Sequence, residues 1–154
     1  MPALKAGDAV IALTTESHQD RILQQLLACG DDVKTAVEHG RCILLDVAET
    51  LSIFMVRGLP DRLEFLRIAG ELIVKANALK LENAKVVACG ECAPVLWIQA
   101  NPEAAIELEK LWNEIASLHN LEILCGYSLP SFQTEKGSQV FAKICAEHSV
   151  AYSA

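Results

Sequence analysis

The sequence predicts an α/β domain built on a mainly parallel sheet with helices on both faces. Short apolar runs recur along the chain, and polar residues that can cap helices follow them. The first run, Ala9–Leu13, is apolar at every position, which is typical of a strand covered on both faces. Strands that alternate with helices are joined by crossover connections, so they pair in parallel. A chain of 154 residues is long enough for one domain, residues 1–154, with its own core.

Each strand and helix of this pattern has its own local signal. Asp46 and Glu49 have the spacing of a capping box, and Asn101–Pro102 combines an N-cap with a proline in the first helical turn. The predicted strands are Ala9–Leu13, Cys42–Leu45, Val86–Cys89 and Leu121–Cys125, with the third in the interior of the sheet. The predicted helices run from Thr14–Ser17 to Gly30, from Asp46 to a break at Gly58–Pro60, from Asp61 to about Leu79, over Glu91–Ile98, from Asn101 to about Leu118, and around Val140–Ala146.

Composition and charge exclude several classes of protein. The net charge of -7, with no cluster of basic residues, argues against nucleic-acid binding. The apolar runs are too short to cross a membrane, and Met1–Lys5 lacks the apolar stretch of a secretion signal. Six cysteines in core-type segments fit reduced thiols, so we expect a cytoplasmic protein.

Common catalytic and phosphate-binding motifs are missing from the sequence. The eight glycines stand apart, so neither a P-loop nor a G-x-G-x-x-G turn exists to wrap phosphate groups. G-x-S-x-G and H-E-x-x-H are absent as well. We therefore expect no nucleoside triphosphate hydrolysis and no bound cofactor, and a degenerate nucleotide-binding protein stays open as an alternative.

Polar residues follow every predicted strand at its carboxyl end, which is where parallel α/β sheets bind their ligands. Thr15 and Asp46 can serve there as helix caps, whereas Glu91 follows a glycine directly after a buried strand. Capping explains Glu91 less well, so it is a candidate functional residue. The other candidates at these strand ends are Thr15, His18, Asp46, Glu49 and Tyr127.

The helix that begins at Asn101 carries a second group of candidates. Glu109 and Asn113 lie one helical turn apart, at the border of the apolar stripe and next to Trp112. A carboxylate and an amide beside an indole can line a ligand pocket. They can equally form hydrogen bonds to a neighbouring loop, and Trp112 can be a core residue.

Cys89 and Cys92 lie where a buried strand meets a helix, which suggests a dithiol redox centre because a helix N-terminus lowers thiol pKa. A thioredoxin-like fold would also need a cis-proline strand, for which there is no sequence signal. Cys89 and Cys92 could instead join Cys145 and His148 around a metal ion, provided that these distant segments meet. We expect no metal site, and we keep a thiol–disulfide redox protein as an alternative function.

Many of these residues belong to an ordered set of motifs that resembles the MEDS domain, the methanogen/methylotroph sensory domain. The similarity extends over nearly the whole chain, in order and with suitable gaps. The motifs are Thr15-x-x-His18, Leu45-Asp46-x-Ala48-Glu49-Thr50-Leu51 with Phe54-Met55, Pro60-Asp61, Gly90-Glu91, Leu96-Trp97, Ala104-Ala105-Ile106-x-Leu108-Glu109-x-Leu111-Trp112-Asn113, Cys125-Gly126-Tyr127 and Cys145-x-x-His148.

The resemblance implies a degenerate RecA/KaiC-like α/β fold without a P-loop, and a sensory role without catalysis. Members of the family serve as input domains of histidine kinases or DNA-binding regulators and are thought to sense small molecules. Their residues at the positions of Cys89 and Cys92 are usually aromatic and methionine, so these cysteines resemble small core replacements. The expected ligand-binding residues are Thr15, His18, Asp46, Glu49, Glu91, Glu109, Trp112, Asn113 and Tyr127.

A difference from the family leads to a prediction about assembly. Members usually begin with a further strand and helix, and that strand would be central in a RecA-like sheet. Here Met1–Leu4, a rearranged sheet or a second subunit must cover the gap, and we expect a homodimer. Because no output domain follows Ala154, we expect a separate signalling partner such as a histidine kinase, or a chain that is part of a longer system.

Overall fold

The structure, a computed structural model, describes residues 2–119, 121–128 and 132–149. Its helices are α1 (Pro2–Ala6), α2 (Glu16–Ala28), α3 (Asp31–Glu38), α4 (Val47–Phe54), α5 (Arg62–Leu79), α6 (Cys92–Ile98), α7 (Pro102–His119) and α8 (Glu135–Ala146). Its strands are β1 (Ala9–Thr14), β2 (Cys42–Asp46), β3 (Met55–Val56), β4 (Leu59–Pro60), β5 (Val86–Gly90) and β6 (Glu122–Cys125).

Four strands form a parallel sheet in the order β2-β1-β5-β6. In its register Leu13 of β1 lies between Leu45 of β2 and Gly90 of β5. The predicted α/β class and its four apolar strands are therefore confirmed, and the fold is consistent with the RecA-like α/β class. The strand that precedes Glu91 is internal, as predicted.

Helices cover both faces of the sheet. Alternate residues of β1 point to opposite faces, so its side chains contribute to two separate cores. Ile11 and Leu13 belong to the larger core, which α4, α5, α6 and α7 cover. Val10 and Ala12 belong to a smaller core, which α1, α2 and α3 cover. This two-sided burial explains why β1 is apolar at nearly every position.

Side-chain caps begin three helices where the sequence predicts them. Asp46 Oδ1 accepts a hydrogen bond from the Glu49 amide at 2.8 Å, and Asp61 Oδ1 accepts one from the Glu64 amide at 3.0 Å. Asn101 Oδ1 accepts one from the amide of the third residue after it, at 3.2 Å. Each bond satisfies an amide that has no partner within the helix.

The structure differs from the predicted elements in three places. The sequence does not predict α3, because Gly30 has the signal of a helix end, whereas in the structure it separates two helices. The strands β3 and β4 form a short antiparallel hairpin at the predicted break, so Met55 leaves the helix. Helix α8 begins at Glu135, well before Val140, because Thr134 caps its polar first turn through the Gly137 amide at 3.0 Å.

The predicted gap in the sheet is absent from the described residues. β5 pairs directly with β6, from Val87 opposite Glu122 to Gly90 opposite Cys125. The N-terminal segment forms α1 on one face, where Leu4 is buried in the smaller core. The homodimer prediction thus loses the vacant strand on which it rested.

Within the described ranges, no helix is both long and apolar enough to cross a membrane.

Candidate functional site

The chain leaves β1 and its two neighbours toward opposite faces of the sheet. β1 leads into α2, which packs on the smaller core, whereas β2 and β5 lead into α4 and α6, which pack on the larger core. Where neighbouring parallel strands diverge in this way, a crevice opens at their carboxyl ends. The site is therefore expected around the last residues of β1, β2 and β5.

Glu91 forms hydrogen bonds that link the end of β5 to the end of β1 and to the start of α2. Its Oε2 accepts hydrogen bonds from the Thr15 amide at 2.9 Å and from the Thr15 hydroxyl at 3.2 Å. Its Oε1 lies 2.7 Å from Nδ1 of His18. The Glu91 amide donates to the Leu13 carbonyl at 2.9 Å. Three residues expected at the site, Thr15, His18 and Glu91, are thus brought into direct contact.

The Glu91 carboxyl is stabilised in its charged form. Burial alone would raise its pKa, but the amide of Thr15, the imidazole of His18 and the hydroxyl of Thr15 outweigh burial and lower the pKa below its usual value. The carboxylate therefore remains ionised at neutral pH. With Glu91 ionised, the His18 ring donates its Nδ1 hydrogen to it.

An open crevice of about 680 Å³ lies beside Thr15, on the β2 side of the edge. We call this space the edge crevice. Its lining contains no lysine or arginine among the described residues, whereas three acidic residues contribute to it. The lining residues are Thr15, Glu16, Gln19, Leu44, Leu45, Asp46, Val47, Ala48, Glu49, Val95 and Gln99. Thr15, Asp46 and Glu49 thus share one concave surface, as strand-end placement predicted.

Glu109 belongs to a second, buried cluster. Its side chain is only 3% exposed. Oε1 accepts a hydrogen bond from the Tyr127 hydroxyl at 2.6 Å, and Oε2 accepts one from the Cys125 thiol at 3.2 Å. Nε2 of His148 lies 3.6 Å from the same Oε2. Glu109 therefore bonds to neighbouring segments, one of the two roles considered for it.

Trp112 and Asn113 lie outside the edge crevice. Trp112 is 9% exposed and packs edge-on against Phe65 in the larger core, with 5.1 Å between ring centroids. The cavities beside Trp112 hold only about 10 Å³ each, room for no more than one water molecule. The Asn113 amide donates to the backbone carbonyl of Glu147. The expected binding residues are thus divided between the crevice, the contacts of Glu91 with Thr15 and His18, the buried cluster, the core and a C-terminal contact.

Sequence reasoning missed Gln99 and Val95, which line the edge crevice from α6. It also treated Cys125 as a plain core residue, although its thiol bonds to Glu109. No local signal marks these residues, because the docking angle of α6 and the pairing of β6 are properties of the tertiary structure. Among the described residues, Cys89, Cys92, Cys145 and His148 do not come together as one ligand set, and His148 lies instead with Glu109 and Cys125.

The environment of Cys89 and Cys92 disfavours the thiolate that redox catalysis needs. Burial raises the pKa of Cys92 to about 12, and the nearby carboxylates of Asp46, Glu91 and Glu109 add to the rise. Burial and Glu91 also raise the pKa of Cys89. A helix N-terminus would lower these pKa values, but desolvation and negative charge outweigh it here.

Fold and site together define a parallel α/β domain with an acidic crevice at its carboxyl edge and no phosphate-binding loop. The chain belongs to the MEDS family, described as the methanogen/methylotroph, DcmR sensory domain, whose profile matches residues 2–148. It is therefore a sensory domain, as the resemblance implied. No curated protein and no solved structure gives a significant match to the chain.

We predict that Cys89 and Cys92 react slowly with alkylating reagents. The exposed Cys29 should be labelled first by iodoacetamide at neutral pH, because Cys92 is buried and its pKa of about 12 leaves almost no thiolate. Mass spectrometry of the peptides over time measures the order of labelling. Faster labelling of Cys89 than of Cys29, or disulfide reductase activity lost in Cys89→Ser, would restore the redox interpretation.

Proposed function

We propose that this chain is a non-catalytic domain that senses a small molecule in the edge crevice and reports binding to a separate signalling partner. The observation that carries the proposal is the polar crevice at the divergence of β1 and β2, with a volume of about 680 Å³. Ligand sites of parallel α/β sheets lie at this position, and their volumes are of this order. Membership of a sensory family supports the same interpretation.

The charge of the edge crevice favours a neutral or cationic ligand. Glu16, Asp46 and Glu49 are exposed or partly exposed acidic groups in its lining, and the Glu91 carboxylate lies directly behind Thr15. A phosphate group would meet negative charge there without a lysine, an arginine or a glycine-rich loop to offset it. Leu44, Leu45 and other aliphatic residues of the lining supply an apolar surface. We therefore favour a small amine or alcohol over a nucleotide.

Binding in the edge crevice would couple three parts of the fold. Thr15 begins α2, Asp46 begins α4, and Gln99 ends α6, so one ligand can contact helices from both faces of the sheet. A ligand that binds one arrangement of these helices better than another shifts their equilibrium. We propose that a histidine kinase or a transcription regulator reads this change. Six free thiols are typical of a reducing compartment, so we propose a cytoplasmic location.

We predict that some neutral or cationic compounds in a library of small amines and alcohols raise the melting temperature of the chain, whereas ATP does not. At a concentration of 100 Kd the stabilisation is about 2.7 kcal/mol, which is a rise of roughly 5–10 °C for a domain of this size. The substitution Gln99→Trp should abolish the rise, because Gln99 lines the crevice and is exposed. Thermal-shift measurements with isothermal titration of the hits provide the test.

Ile98→Trp is the matched control, because Ile98 is exposed at the end of the same helix but does not line the crevice. It should keep the full response to the compound. An equal response in Gln99→Trp, or micromolar binding of ATP to the wild-type chain, would contradict the proposed site.

We further infer that the chain self-associates through an exposed apolar segment at residues 53–63. Val56 and Leu59 are paired across the β3–β4 hairpin and are both exposed. Ile53 and Leu63, on either side of the hairpin, are exposed as well. Val56 and Leu59 lie side by side on the hairpin, and contiguous exposed apolar surface of this kind is typical of contact surfaces. This surface replaces the missing strand as the physical argument for a homodimer.

We predict a mass of twice 16.7 kDa in multi-angle light scattering at micromolar concentration. Leu63→Glu should give the mass of one chain, because a buried interface does not accommodate an unpaired charge. Val74→Glu is the control: Leu63 is 74% and Val74 67% exposed on the same helix, but Val74 lies outside residues 53–63. A wild-type monomer, or a dimer that survives Leu63→Glu, would refute this interface.

A further inference from the structure

Three metal-binding atoms converge beside α7. Oε2 of Glu109, Sγ of Cys125 and one ring nitrogen of His148 all lie within 4.8 Å of one another. They come from α7, from the end of β6 and from the segment after α8. Residues so far apart in the sequence meet here because β6 pairs with β5 and the C-terminal segment folds back onto α7.

The spacing of these atoms suits a tetrahedral metal ion. Oε2 of Glu109 lies 3.2 Å from Sγ of Cys125 and 3.6 Å from Nε2 of His148. Ligands at ordinary zinc bond lengths, about 2.0–2.3 Å, stand roughly 3.4–3.6 Å from each other in a tetrahedron. The two contacts of Glu109 therefore already have nearly the spacing of zinc ligands, and the Cys125 and His148 atoms lie within 4.8 Å of each other.

The hydrogen bonds around the cluster orient the ligand atoms toward its centre. Nδ1 of His148 lies 2.7 Å from the Ile144 carbonyl, which can only accept, so Nδ1 carries the hydrogen. In the neutral ring Nε2 then presents a lone pair toward the Glu109 carboxylate, and only a proton or a metal cation can make that contact favourable. The Tyr127 hydroxyl donates a hydrogen bond to the other carboxylate oxygen of Glu109, and the Asn113 amide donates one to the backbone carbonyl of the residue before His148. Such outer hydrogen bonds are typical of metal-ligating histidines and carboxylates.

We propose that Glu109, Cys125 and His148 bind a zinc ion. A thiolate, an imidazole and a carboxylate form a mixed ligand set that suits zinc and is unsuited to magnesium or calcium. Two negative ligands balance the charge of Zn²⁺ at a partly buried site. On binding, the Cys125 thiol gives up its proton to solvent and its sulfur bonds to the metal.

Three protein ligands leave one position of the tetrahedron open for water or a small donor molecule. The ion would also link α7, β6 and the C-terminal segment. The site is separate from the edge crevice, so its test does not depend on the proposed function. The competing explanation is a plain ion pair between Glu109 and a protonated His148, without any metal.

The test is a cobalt titration of the full chain after treatment with a chelator and a thiol reductant. One equivalent of Co²⁺ should produce a sulfur-to-cobalt charge-transfer band, and Zn²⁺ should displace it. Cys125→Ser should lose the band, and His148→Ala should weaken cobalt binding at least tenfold. Cys145→Ser is the control, because Cys145 is a partly buried thiol close to His148 that lies outside the cluster.

A second measurement uses the wild-type chain, so it does not depend on how the variants fold. One equivalent of Zn²⁺ should slow the alkylation of Cys125 at least tenfold while leaving that of Cys29 unchanged. Absence of both the cobalt band and this protection would overturn the zinc site and leave the ion pair. A band that persists in Cys125→Ser, or disappears in Cys145→Ser, would overturn the proposed ligand set.

Discussion

The carboxyl edge of the sheet depends on the bridge from Glu91 to Thr15 and His18. Where β1 and β5 separate toward opposite faces, backbone groups at the strand ends lose their ladder partners. Glu91 satisfies the Thr15 amide at 2.9 Å and fixes the first turn of α2. Gly90 makes this possible: a Cβ at Gly90 would lie 3.3 Å from Cβ of Leu13, so the absence of a side chain lets β5 run close beside β1.

This bridge also explains why Thr15 does not cap α2 with its side chain. Thr15 occupies the N-cap position of α2, but its hydroxyl bonds to Glu91 and not to an amide of the helix. The Thr15 side chain thus makes a contact between distant parts of the chain instead of a local helix cap. The Glu91 carboxylate, whose pKa is lowered, therefore lies next to Thr15 in the lining of the open edge crevice. Such an arrangement suits recognition of a ligand better than it suits stability alone.

The carboxylates of Glu91 and Glu109 have different environments and, in our account, different roles. Glu91 is partly exposed and bonds to Thr15, which lines the crevice, whereas Glu109 is buried and bonds to Tyr127 and Cys125. Cys92 lies within electrostatic range of both carboxylates, and burial together with their charge keeps its thiol protonated. The same packing that forms the carboxyl edge of the sheet therefore disfavours the thiolate chemistry that a Cys-x-x-Cys pair would otherwise suggest.

Local signals in the sequence predict much of the fold, and the limits of that prediction have physical reasons. Ala9–Leu13 is apolar because both faces of β1 are covered, and Asp46, Asp61 and Asn101 cap helices through bonds that span only three residues. The contact of Thr15 with Glu91 follows from strand ends that meet at one edge. The contact of Glu109 with His148 does not, because it requires the segment after α8 to pack back against α7.

Amide hydrogen exchange at Thr15 tests the central claim, that Glu91 holds this edge together, most directly. In the wild-type chain the Thr15 amide should exchange far more slowly than the neighbouring amides of Glu16 and Ser17, because its hydrogen is bound to Glu91 Oε2. In Glu91→Ala that protection should disappear, while the amides of β1 itself stay protected. A Thr15 amide that exchanges as fast as an unstructured peptide in the wild-type chain would contradict the account.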